Sequence, residues 1–91
     1  MKSKNNLTIT GIIVTDVTIS PERSYARFTL VHNFGGRIPS LYLRCLIPGR
    51  ILDDTLALGP GRGVSVCVSA YIRPHRDGVQ AVVKSMETIN L

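Results

Sequence analysis

The sequence predicts a single all-β domain of five strands, and three observations support this. Apolar and polar residues alternate along most of the chain, which places residues two apart on one face of a strand. Clusters of glycine and proline divide this pattern into five segments. The length of 91 residues suffices for one domain, residues 1–91, and leaves no room for a second.

The first two predicted strands lie in the N-terminal third of the chain. The first covers residues 7–14, and Gly11 marks a bend or bulge within it. The second covers residues 24–32, where Phe28 has the parity of the core residues. His32 ends this strand on the same parity, so we expect a hydrogen-bonded structural histidine.

In the middle of the chain, the residue pattern predicts one strand followed by a short helical segment. A glycine-rich loop at residues 33–39 leads to the third strand, residues 41–47. The inward residues of this strand are Leu41, Leu43, Cys45 and Ile47. After Pro48 and Gly49, residues 50–58 follow helical spacing for about two turns.

The last two predicted strands form a hairpin. The fourth covers residues 64–73 and alternates most clearly, and a loop at residues 74–78 joins it to the fifth, residues 79–89. The register of the fifth strand stays open, because residues 81–83 are apolar on both faces.

Five strands with a short helix or irregular loop between the third and fourth give the element order of the OB-fold. This fold is a small Greek-key barrel. A bent first strand that serves both halves of the barrel would explain Gly11. An SH3-like barrel has a similar number of strands and remains an alternative, although its long connections usually fall elsewhere.

The charge balance favours an acidic partner. The chain has 11 Lys and Arg against 6 Asp and Glu, a formal charge of +5, which suits nucleic acid. No apolar run is long enough to span a membrane. The basic N-terminus is not followed by an apolar segment of signal-peptide type, which predicts a cytoplasmic protein.

The cysteines, histidines and other reactive side chains show no catalytic pattern, which favours a binding protein over an enzyme. Cys45 has inward parity and Cys67 outward parity, so we expect no disulfide and a reducing compartment. Two Cys and two His at unrelated spacings predict no metal site. We find neither a catalytic set of nucleophile, base and acid nor a phosphate-binding loop, and expect no cofactor.

Each tyrosine of the chain lies two residues before an arginine, in a segment predicted to be a strand. Ring and charge therefore share a face, where bases can stack and phosphates can pair. Tyr and Arg are also common at protein interfaces, which keeps a partner surface as an alternative. The three pairs are Tyr25 with Arg27, Tyr42 with Arg44, and Tyr71 with Arg73.

The tyrosine–arginine pair of the third strand is the first choice for nucleic-acid contact. The second and third strands form the face on which OB-folds bind oligonucleotides. Tyr42 would stack a base and Arg44 would hold a phosphate. Tyr25 and Arg27 on the second strand come next.

Loops and the last strand supply further candidates. Phe34 and Arg37 lie in the glycine-rich loop, and His75 and Arg76 lie in the hairpin between the fourth and fifth strands. The hairpin matches in position a loop with which OB-folds bind nucleic acid and could clamp its backbone, and the glycine-rich loop is the other candidate arm. Lys84 would extend the basic face if its strand register points it outward.

Four segments, in this order and spacing, resemble the bacterial single-stranded DNA-binding proteins, and within them the primosomal replication protein N (PriB) branch. The likeness spans most of the chain, although each short motif by itself is weak. The segments are residues 6–11 (Asn-Leu-Thr-Ile-Thr-Gly), 26–32 around Phe-Thr-Leu, 45–52 (Cys-Leu-Ile-Pro-Gly-Arg-Ile-Leu) and 61–68 (Gly-Arg-Gly-Val-Ser-Val-Cys-Val).

The resemblance implies an OB-fold protein that binds single-stranded DNA without strong sequence preference, in DNA replication or replication restart. It also implies a homodimer or homotetramer and contacts with replication or primosome proteins. The general replication proteins of this family carry an acidic tail, whereas this sequence ends directly after the last predicted strand, which favours the primosomal branch.

Two other functions remain open at this point. In the first, the tyrosine–arginine face is the surface of a protein-interaction subunit, and the outward residues Ser65, Cys67 and Ser69 pack against a second copy. In the second, the same face binds single-stranded RNA, because stacking and phosphate pairing serve both nucleic acids.

Overall fold

The computed structural model describes residues 5–76 and 78–89. Its strands are β1 (Leu7–Ile13), β2 (Thr18–Ile19), β3 (Tyr25–His32), β4 (Leu41–Pro48), β5 (Ser65–His75) and β6 (Gly78–Thr88). A 3-10 turn (Gly49–Ile51) and helix α1 (Leu52–Leu56) lie between β4 and β5. The five predicted strands correspond to β1, β3, β4, β5 and β6, and β2 is too short to show an alternating pattern.

The strands close into a barrel. Their order is β1-β5-β6-β4-β3, a pairing between β1 and β3 completes the ring, and β2 extends β3 at its edge. The contact between β4 and β6 is parallel, and the other described pairings are antiparallel. This is the OB-fold, so the predicted five-stranded Greek-key barrel with a short helix between the third and fourth strands is confirmed.

Strand β1 belongs to both halves of the barrel. It pairs with β5 along Leu7–Ile12 and with β3 at Ile12 and Ile13. At the crossing, a Cβ added to Gly11 would lie only 2.3 Å from the carbonyl oxygen of Val31. A side chain at this position would therefore push the two strands apart, which explains the glycine.

The core is built from the inward residues of all five barrel strands, and Leu52 of α1 adds to it. Phe28 is buried, as predicted. Leu41 shares the inward parity of Leu43, Cys45 and Ile47, as predicted, but it is not part of the core, since it is 40% exposed. Leu41 begins β4 opposite His32, the last residue of β3, so it lies at the open end of the strand pair.

The sequence could not predict the register of β6, and the surroundings of residues 81–83 explain why. Ala81 and Val83 face the core, and Val82 between them faces outward, yet Val82 is only 3% exposed. Its register partners are Tyr71 of β5 and Leu46 of β4. Apolar side chains are thus needed on both faces of this segment.

The cysteines lie on opposite faces, as predicted. Cys45 is buried in the core and Cys67 is half-buried on the outside, and neither forms a disulfide. Within residues 5–76 and 78–89, no helix has the length and apolarity that crossing a membrane requires.

Candidate nucleic-acid interface

The antiparallel pairing of β3 and β4 brings two arginines together on the outer face of the barrel. Arg44 lies opposite Thr29, two residues along β3 from Arg27. The two arginines therefore occupy diagonal positions, roughly 7–8 Å apart between Cα atoms. Tyr25 and Tyr42 lie at opposite ends of the same pair, because the strands run in opposite directions.

A third arginine joins this face through a buried glutamine. Cys45 pairs with Ala81 in the parallel contact of β4 and β6, so that Gln80 lies beside Arg44. Gln80 also pairs with Arg73 of β5. The Nε and Nη2 groups of Arg73 donate hydrogen bonds of 2.9 and 2.7 Å to Oε1 of Gln80, which is only 4% exposed. Arginines of β3, β4 and β5 thus share one outer face.

A groove of about 520 Å³ runs beside these arginines. Arg27 and Arg44 line it on the barrel side. The connection between β1 and β2 forms one wall through Asp16, and the end of β5 forms the other through His75. The structure therefore brings His75, which the sequence placed in a separate loop, to the same groove as the two arginines.

The three tyrosines differ in how much ring surface they offer. Tyr42 is 68% exposed, and together with Arg44 and Val79 it lines a second recess on the same face. Tyr25 is half-buried, and Cζ of Arg27 lies 5.6 Å from the centre of its ring, in cation–π contact. Tyr71 is half-buried. Tyr42 is therefore the most accessible stacking surface of the three.

The loop between β3 and β4 extends from the Tyr42 end of the face. Phe34 is 53% exposed, and the centre of its ring lies 4.6 Å from that of His32 in an edge-to-face contact. Nδ1 of His32 donates a hydrogen bond of 2.6 Å to the carbonyl oxygen of Thr10, so the expected hydrogen bond of this histidine is present. Arg37 is exposed in the turn of this loop.

Two more predicted cations, Arg76 and Lys84, lie outside the groove lining, as Arg37 and Arg73 do. Arg76 is exposed in the turn after β5, next to His75. Lys84 is exposed on β6, donates a hydrogen bond of 2.6 Å to Oδ1 of Asn6, and lines a recess together with Leu58 beyond α1. The structure thus separates Lys84 from the other candidates.

Sequence reasoning missed Gln80 and Asp16. A polar residue in the otherwise apolar start of β6 was a signal for Gln80, but its partner Arg73 depends on the register. Asp16 gave no signal, because it is a single acid in a loop. Among the described residues, no cluster of three or more His, Cys, Asp or Glu side chains could hold a metal ion.

Comparison with known proteins gives structural matches only. Neither a family model nor a curated protein sequence matches this chain. The mitochondrial single-stranded DNA-binding protein Rim1 of S. cerevisiae matches with a TM-score of 0.80 at 14% identity, covering 98% of this chain and 97% of that one. The second single-stranded DNA-binding protein (SSBb) of Mycobacterium smegmatis matches with a TM-score of 0.79 at 20% identity, covering 94% and 89%.

The primosomal branch is also among the matches. The dimeric N-terminal domain of PriB from Thermoanaerobacter tencongensis matches with a TM-score of 0.76 at 15% identity, covering 96% of this chain and 98% of that one. The predicted likeness to bacterial single-stranded DNA-binding proteins and PriB is therefore confirmed at the level of the fold. The chain is an OB-fold domain similar in structure to single-stranded DNA-binding proteins.

Proposed function

We propose that this protein binds single-stranded DNA without strong sequence preference, through the outer face of β3, β4, β6 and β5. The observation that carries the proposal is the convergence of Arg27, Arg44 and Arg73 from three strands beside an open groove. A positively charged groove with aromatic side chains is the common design of OB-folds that bind single strands.

The contacts divide between charge and stacking. The arginines pair with phosphates and release the counterions of the strand, so that affinity falls as the salt concentration rises. Tyr42, whose ring is exposed, stacks a base without reading its identity. Phe34 and Arg37 in the loop between β3 and β4 flank this path on one side, and His75 at the end of β5 and Arg76 in the turn after it flank the other.

The proposed setting is DNA replication or replication restart in the cytoplasm. The protein acts there as a homodimer or homotetramer that binds DNA without catalysis, alongside replication or primosome proteins. The dimeric PriB domain among the structural matches supports this setting. The positive charge of the chain is consistent with it.

A second candidate function is a protein-interaction subunit. Large apolar side chains are exposed at the end of the barrel where β4 and β6 begin, and contiguous apolar surface marks interfaces. A partner seated there would also cover the ring that stacks a base. The exposed residues are Phe34, Ile38, Leu41, Tyr42 and Val79.

The test is fluorescence anisotropy of labelled oligothymidine, oligouridine and duplex DNA of about 15 nucleotides. Each is titrated with the protein at about 50 and 200 mM salt. Binding to the single strand in preference to the duplex, weakened by salt, supports the proposal. Stronger binding of oligouridine assigns the face to RNA. The absence of binding to all three probes contradicts both nucleic-acid functions and favours the interaction subunit.

A further inference from the structure

The cation-lined groove contains a carboxylate that the proposed function does not use. Asp16 is the one acidic side chain among the described residues that line the groove. Its place is fixed, because the preceding residues are hydrogen-bonded to β3. Val14 N–H donates to the carbonyl of Thr29 at 3.0 Å, and Thr29 N–H donates to Oγ1 of Thr15 at 2.9 Å.

The carboxylate is accessible to a ligand. Two residues after Asp16, Thr18 pairs with Arg27, which places the acid at the β3 end of the groove, with Arg44 of β4 and Gln80 of β6 further across its lining. Nε of Arg62 lies 3.5 Å from Oδ1 of Asp16, and the Asp16 side chain is 83% exposed. An exposed ion pair of this kind is weak, so a ligand can replace Arg62 at little cost.

A negative charge at this point decides which part of a nucleotide lies there. A phosphate close to Asp16 would be repelled, whereas Arg44 and Arg73 attract it. The backbone of a bound strand therefore follows the arginines of β4 and β5. The edge of a base, turned away from the backbone, meets Asp16.

Base edges differ in what they offer a carboxylate, which only accepts hydrogen bonds. Guanine presents its N1–H and N2 amino groups side by side, which match the two oxygens of Asp16. Cytosine and adenine present one amino group each, beside an acceptor. Thymine presents its N3–H between two carbonyl oxygens, which the carboxylate repels.

We propose that Asp16 makes this groove a guanine-preferring subsite within an otherwise sequence-tolerant interface. The inference rests on the proposed function, because it needs a single strand on this face. The preference is limited to one nucleotide, and phosphate contacts and stacking still supply most of the affinity.

The experiment compares three labelled oligomers of about 15 nucleotides by fluorescence anisotropy. They are oligothymidine, a repeat of thymine-thymine-guanine, and the same repeat with inosine, which lacks only the N2 amino group. Lithium buffer keeps guanines from forming four-stranded structures. The guanine repeat should bind about threefold more tightly than the inosine repeat, and the Asp16→Asn variant should lose this difference.

Arg62→Gln is the matched control, because it removes the ion pair and keeps the carboxylate. This variant should retain the guanine preference. Equal affinity of the wild-type protein for the two repeats would overturn the inference, as would a preference that survives in Asp16→Asn or disappears in Arg62→Gln. A wild-type protein that binds none of the oligomers would instead contradict the proposed function itself.

Discussion

Arg73 of β5 donates two hydrogen bonds to a single atom, Oε1 of Gln80 on β6, at 2.9 and 2.7 Å. Gln80 is 4% exposed, so the amide is a fixed anchor rather than a mobile surface group. The same side chain lines the groove beside Arg44. A buried amide thus holds one arginine in place next to another, so the entropy cost of ordering Arg73 is met before any ligand binds this face.

The first prediction concerns this anchor. Gln80→Leu keeps an uncharged side chain of similar size and frees Arg73, and we expect the affinity for oligothymidine to fall about fivefold. Gln80→Glu places a negative charge beside two arginines and should weaken binding further. Anisotropy titrations measure both, and circular dichroism melting checks the fold. Unchanged affinity in both variants would show that Gln80 does not position Arg73 for binding.

The second prediction concerns the exposed ring of Tyr42. Tyr42→Ala should cost about 1–3 kcal/mol of binding free energy, because a stacking surface is lost. Tyr42→Phe should bind almost as the wild type does, since the ring remains. The control is Leu58→Ala, which shortens another exposed side chain near Lys84. If all three variants bind alike, Tyr42 does not stack a base.

The third prediction separates cations inside and outside the groove. Arg44→Gln should reduce the slope of log affinity against log salt concentration by about 0.7, the value for one phosphate contact on a single strand. Lys84→Gln removes the same charge at the recess beyond α1 and should leave the slope unchanged. Titrations at four or more salt concentrations give the slopes. If Lys84→Gln reduced the salt slope more than Arg44→Gln does, the DNA would lie on the other side of the barrel.

These residues also show how far the sequence could predict the site. Alternation identified the barrel strands and put Arg27, Arg44 and Arg73 outward. Their convergence could not be predicted, because it depends on the register between strands that are distant in sequence. The parallel contact that sets Gln80 beside Arg44 joins β4 and β6, which are separated by a helix and a strand.

Two further departures have local causes. Val82 is an apolar residue on the outer face of β6, so the alternation that fixes register elsewhere is missing there. Leu41 has inward parity but lies at the open end of its strand, where parity no longer implies burial.

The fourth prediction concerns the crossing of β1 and β3. Gly11→Ala should lower the free energy of unfolding by about 1–3 kcal/mol, because the added Cβ would lie 2.3 Å from the carbonyl oxygen of Val31. The control is Gly61→Ala, since no atom lies within 4 Å of a Cβ there. Denaturation in urea measures both. Equal stability of the two variants would show that the strands do not cross this closely.

The fifth prediction concerns the two thiols. Burial raises the pKa of Cys45 from 9.0 to about 12. Since the thiolate is the nucleophile, iodoacetamide should modify Cys67 in the native protein and Cys45 only after unfolding. Mass spectrometry of the digested protein identifies the modified residue. Modification of Cys45 at the rate of Cys67 would contradict its burial.

The same pKa shift makes the stability of the folded protein depend on pH. Above pH 9.0 the unfolded chain loses the Cys45 proton and the folded protein keeps it, up to about pH 12. The folded state then binds more protons, so stability falls as the pH rises through this window. Cys45→Ala should make this part of the fall disappear, which denaturation at a series of pH values measures.

Binding of a single strand to the arginine face can be tested directly by nuclear magnetic resonance of the isotope-labelled protein titrated with oligothymidine. If the strand binds the proposed face, the backbone amide signals of Arg27, Arg44 and Arg73 should shift most, together with that of Tyr42, whereas the signals of helix α1 should stay in place. Shifts concentrated on α1 and Lys84, with the arginine face unchanged, would contradict binding to this face.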